Sequence, residues 1–73
     1  MKLWEYPGKR IIIYFKDGDK PMTGKCVGYT SALDNYPEEV ESIDIVVGAR
    51  YYEISKPFID HIELIEEDND KKE

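Results

Sequence analysis

Cys26 and His61 are the only cysteine and the only histidine in this 73-residue sequence. A thiol paired with an imidazole makes an activated nucleophile when the two groups lie within hydrogen-bond reach. The surroundings of each argue for a plainer role. Cys26 sits in a β-rich run beside Val27, where a free cysteine behaves as a small hydrophobe. His61, between Asp60 and Ile62, is expected to point outward from a strand. No catalysis and no cofactor are expected. Asp34, Glu38, Glu39 and Glu41 offer hard oxygen ligands. Their spacing lacks the central glycine and the alternation of ligands that a calcium loop requires, so a solvated acidic loop is expected in place of a metal site.

Recognition chemistry is better represented. The chain has six tyrosines and one tryptophan, the residue types that anchor interfaces. Tyr6, Tyr29, Tyr36 and Tyr51 are expected to be exposed. Taken with the acidic loop, they suggest a partner-binding surface of Tyr29, Asp34, Asn35, Tyr36, Glu38, Glu39, Glu41 and Tyr51. Such a face suits a protein partner.

The charge pattern points the same way. The net charge is −6, and residues 66–73 contribute half of it through five acids against two lysines. Lys25 and Arg50 bound a stretch with no Lys or Arg, into which five carboxylates fall. Nucleic-acid affinity rests on cations that neutralise phosphates, so this half of the chain would repel a polyanion. Lys9, Arg10, Lys16, Lys20 and Lys25 leave room for a local basic patch in the first third.

These side chains need a frame, and the pattern supplies one. A chain this short makes one domain with most of its apolar residues committed to one core. A single cysteine rules out an internal disulfide. No run approaches the length of a membrane span, and no signal-peptide pattern follows Met1, so a cytoplasmic location is expected. Residues 1–7 form an arm or short helical turn, whose Leu3 or Trp4 caps one end of the fold. Residues 8–65 form an all-β unit, and 66–73 an acidic tail expected to be disordered. Strands are expected over 9–16, 22–30, 42–47, 50–54 and 60–65 from their β-branched and aromatic content and alternation. Asp17-Gly18 supplies a hairpin turn, and Ser55-Lys56-Pro57 a single helical turn. Gly24 and Gly28 stand four apart, on one face of a regular strand, where glycine marks a bend, a bulge or a close approach of backbone. The result is a small, strongly bent antiparallel barrel. Ile62 and Leu64 should face inward.

Gly-Lys-x-Ile-x-Ile at Gly8, the Asp-Gly turn, Gly-x-Cys-x-Gly-Tyr at Gly24 and Ile-Asp-Ile-Val-Val at Ile43 together resemble the first motif of the Sm-like (LSM) proteins. Tyr-Thr-Ser-Ala-Leu-Asp-Asn with Pro-Glu-Glu is similar to a group of small uncharacterised bacterial proteins of that fold. The resemblance covers about residues 8–65. It implies an all-β, five-stranded SH3-like barrel of the Sm type with a bent second strand. It also implies rings that bind U-rich single-stranded RNA, through an Asp and an Asn after strand two and an Arg-Gly pair before strand five. Here Asp34 and Asn35 are adjacent, and Ser55-Lys56 stands where Arg-Gly would be.

Two functions are therefore expected in order. The first is a non-catalytic binding or assembly module working through protein–protein contacts, at the acidic loop 31–41 and the edge strand 51–55. The second is an RNA-binding Sm-like subunit using Lys9, Arg10, Lys25, Tyr29, Asn35 and Lys56. Monomer and ring both remain open.

Overall fold

Alternating apolar side chains give each strand one buried face. In β1 (Lys9–Phe15), Ile11 and Ile13 are fully buried, while Ile12 and Tyr14 lie half-buried on the other side. In β3 (Ser42–Val47) the buried pair is Ile43 and Ile45. β2 (Met22–Thr30), β4 (Arg50–Ser55) and β5 (Ile59–Glu67) complete the set. The computed structural model describes residues 1–37 and 39–67, and all statements of structure concern these.

The five strands form one antiparallel sheet in the order β4-β3-β2-β1-β5. The two edge strands are consecutive in the chain, joined only by the 3-10 turn Lys56–Phe58. A flat sheet would separate them by four strand spacings of about 4.8 Å, roughly 19 Å. The chain from Ser55 to Ile59 reaches at most about 14 Å. The sheet must therefore curl until its edges approach. It is not closed, because β4 and β5 do not pair among the described residues.

The curl is concentrated in β2. Its first part, Met22 to Lys25, pairs with β1, and Lys25 to Thr30 pairs with β3. A side chain at Gly24 would collide with the backbone carbonyl of Val46, so only glycine lets β3 cross this closely. A bulge at Val27 then breaks the period of two. Cys26 lies opposite inward-facing Ile45, but Gly28 lies opposite outward-facing Asp44. Gly24 and Gly28 thus fall on opposite faces, not one. The same shift turns Tyr29 toward the core.

Leu3, in the 3-10 turn Leu3–Glu5, is fully buried and plugs the core with Ile11, Ile13, Cys26, Ile43, Ile45 and Ile59. Each large aliphatic side chain so buried contributes about 1.5–3 kcal/mol before conformational entropy is set against it. The Gly8 N–H donates to the Cys26 carbonyl at 2.7 Å and ties the arm to β2. Of the two residues expected to cap this end, Leu3 does so, whereas Trp4 is 55% exposed and meets Tyr29 edge-on at 6.4 Å.

The last strand outruns its expected end at residue 65. Register sets Arg10 opposite Glu66 and Lys9 opposite Glu67, so the tail expected from residue 66 begins no earlier than 68. Residues 68–73 lie outside the described residues. Ile62 packs against the core, but Leu64 is about half-exposed because β5 has no neighbour on its far side. No helix among the described residues is long and apolar enough to cross a membrane.

Candidate functional site

The long connection between β2 and β3 is built by its own polar side chains. Ser31 and Asp34 close its first turn: the Asp34 N–H donates to Ser31 Oγ at 3.3 Å and the Ser31 hydroxyl to Asp34 Oδ2 at 3.1 Å. Asn35 closes the rest. Its amide Nδ2 donates to the Val40 carbonyl at 2.8 Å and to Ser42 Oγ at 3.3 Å, and the Ser42 hydroxyl donates on to Glu53 Oε2 at 3.0 Å. Ser42 is wholly buried, so this chain of hydrogen bonds satisfies a group that would otherwise be costly.

Glu41 fastens the loop to the 3-10 turn. The Tyr29 hydroxyl donates to Oε2 at 2.8 Å. The Lys56 ammonium lies 3.2 Å from Oε1 as an ion pair without an aligned hydrogen bond. The Lys56 N–H also donates to the Glu41 carbonyl at 2.8 Å. The Tyr29 hydroxyl first, and Lys56 second, hold the Glu41 carboxyl below its ordinary pKa. The same contact with Glu41 raises the Tyr29 phenol.

Tyr29, Asp34, Asn35 and Glu41 are thus brought together, each with an internal partner. Glu39 is exposed at the loop's turn, and Glu38 lies outside the described residues. Of the four tyrosines expected outside, Tyr36 and Tyr51 are there, at 80% and 64% exposed, while Tyr6 and Tyr29 are half-buried against the core. Tyr51 stands on the edge strand with Asp44 close by, and the hydrogen bond to that carboxylate raises its phenol. Asp44 and Glu53 face each other across the β3–β4 register.

The residues for RNA do not converge. Arg10 and Lys25 are register partners, with Lys9 next to them. Asn35 lies beyond the far end of β2, and the stretch from Lys25 to Thr30 alone covers about 16 Å of strand. Lys56 faces Glu41 there.

Cys26 and His61 are not brought together. Cys26 is sealed in the core, and burial pushes its thiol pKa up. His61 lies on the exposed side of β5, stacked on Tyr14 at 4.3 Å with Nδ1 2.6 Å from Asp60. No group of three or more His, Cys, Asp or Glu side chains among the described residues is placed to hold a metal.

Two clefts flank the turn Lys56–Phe58. One, of about 660 Å³, runs between the loop and the turn and is lined by both signs of charge, among them Lys16, Lys56, Glu39, Glu41 and Asp60. The other, of about 230 Å³, opens between the end of β4, the 3-10 turn and the β1–β2 turn, among Phe15, Ile54, Phe58, Asp17, Asp19 and Glu53. Phe15 and Phe58 are not among the polar loop residues expected to bind a partner. The signal available was Phe58 itself, an aromatic one residue after Pro57 in a turn too short to bury it. Compared with known proteins, the chain matches no family model, no curated protein and no solved structure.

Proposed function

We propose that this chain is a small barrel of the Sm type that acts without catalysis, as a binding or assembly module for a protein partner. The fold assignment is supported by the N-terminal helical turn, the bulged second strand shared by two neighbours, and the 3-10 turn linking β4 to β5. The observation that carries the function is the β4 side of the sheet. There Tyr51 is exposed on a strand with one neighbour only, beside the opposed carboxylates of Asp44 and Glu53. An unpaired strand edge is a ready template for another chain, and tyrosine in an acidic setting suits a basic one.

The test is amide NMR of the full chain at low salt with two probes, a lysine- and arginine-rich unstructured peptide and a U-rich RNA of equal length. The peptide is expected to move the signals of Asp44, Tyr51 and Glu53 and to saturate. Saturable shifts from the RNA alone, at Lys9, Arg10 and Lys25 and weakening steeply with salt, would overturn the reading in favour of an RNA-binding subunit. Light scattering behind a sizing column decides between monomer and ring.

A further inference from the structure

We infer that the groove between β4 and the β1–β2 turn receives one lysine or arginine side chain from an extended segment of a basic protein, which adds to the sheet along the free edge of β4. This rests on the protein-binding reading above and names the partner's chemistry and the place it enters.

The curl brings the β1–β2 turn and the turn Lys56–Phe58 against the end of β4, and the space among the three is left as a groove. Phe15 and Ile54 border it from the core side, and Phe58 stands beside it, 64% exposed. Its volume, about 230 Å³, falls below the ~300–1,000 Å³ of sites that take whole small molecules. It suits a single long side chain.

Charge selects which side chain. Asp17 and Asp19 from the β1–β2 turn and Glu53 from β4 surround the apolar surface, and no cation is among the described residues that line the groove. Lysine and arginine lay an apolar stem along apolar surface while the charged head stays at a polar rim. Phe58 adds an aromatic ring against which that head is favoured. Lys56, the cation at this end of the edge strand, is drawn to Glu41 on the other side of the turn. The groove lies directly beside residues 53–55 of that edge. A segment pairing with β4 therefore carries its side chain into the groove without a further turn, as in strand addition to other open sheets. A second copy of this chain is the poorer occupant, since it brings its own charge of −6 to an acidic rim.

The test titrates the full, isotope-labelled chain with a capped peptide of alternating threonine and valine bearing one central lysine. A second peptide carries norleucine there, which keeps the stem and removes the charge. The lysine peptide is expected to move the amide signals of residues 50–55 and 58. The norleucine peptide should bind about tenfold more weakly, and Phe58→Ala should weaken the lysine peptide by about tenfold. Asp19→Asn, which keeps the turn's backbone contact to Asp17, should cost a few-fold and flatten the salt dependence. Phe58→Leu, with its ring removed and its bulk kept, should fall between wild type and Phe58→Ala. Equal binding of both peptides, or no shift at millimolar peptide, would overturn the inference. So would concentration-dependent dimerisation lost in Phe58→Ala, which assigns the groove to self-association. Shifts confined to the loop 31–41 would overturn it while leaving the protein-binding reading standing; shifts from RNA alone would remove both.

Discussion

On one side of the turn Lys56–Phe58, Tyr29, Asn35, Glu41, Ser42 and Lys56 hold one another in hydrogen bonds and an ion pair. On the other, Asp17, Asp19 and Glu53 stand round Phe15 and Phe58 with no cation among the described residues of the groove. The first region has the polar residues from which a binding pocket is usually read, and it employs them to fasten a loop. The second has aromatics of the kind usually assigned to a core, and one of them faces solvent. Glu53 belongs to both, since it also accepts from Ser42. The contrast teaches that side-chain type marks a candidate site less reliably than whether its partners lie within the chain.

Substitutions can break this contrast or sharpen it. The largest effect is expected at Gly24, because both regions depend on the bend in β2. Gly24→Ala forces a methyl group into the Val46 carbonyl and should cost about 3 kcal/mol or more. That is a large share of the stability of so short a chain, and urea unfolding measures it. Next comes Asn35→Ala, which strips a donor from the Val40 carbonyl and from buried Ser42. A loss of about 1–2 kcal/mol is expected, seen as a lower urea midpoint at unchanged slope. A loss near zero would return Asn35 to the candidates for ligand contact.

Glu41 gives a pH signature. Its carboxyl titrates lower in the folded chain than in the unfolded one, so the folded state favours the ionised form. The resulting stability is present above the ordinary glutamate value near pH 4.5 and is lost as pH falls through the lowered one. Wild type should therefore exceed Glu41→Gln in stability by a constant margin at neutral pH, and the margin should shrink below about pH 4.5. Urea midpoints at a series of pH values check this; a margin that does not change with pH would detach Glu41 from Tyr29 and Lys56. The smallest effect is expected at Phe58→Ala, which should alter stability by no more than about 0.5 kcal/mol. A larger loss would make Phe58 a core residue and close the contrast.

The strands were legible because β-branched residues alternate in runs bounded by Asp-Gly, Asn and Pro. Ser42–Val47 and Met22–Thr30 fall where the pattern puts them. The place of the bulge, at Val27, was not legible: Gly28 marks a bend, a bulge or a close approach without saying which residue is extra. It is the register against Ile45 and Asp44 that reveals it. The polar loop misled for a related reason. Whether Asn35 or Glu41 faces solvent or a neighbour depends on Ser42, Tyr29 and Lys56, which meet them only once the sheet curls. The extension of β5 to Glu67 was hidden by polarity, because acidic residues at the end of a strand look like a tail.

The pairing of β1 with β5 has a consequence in time. Ile13 and Ile62 are register partners 49 positions apart, so β1 leaves the ribosome well before β5 and gains its second neighbour only when β5 follows. Until then the Ile-Ile-Ile run of β1 has one open edge, and a chain halted before residue 59 keeps it open. Such truncated products are expected to clump, and synthesis itself becomes the period of greatest exposure for this protein.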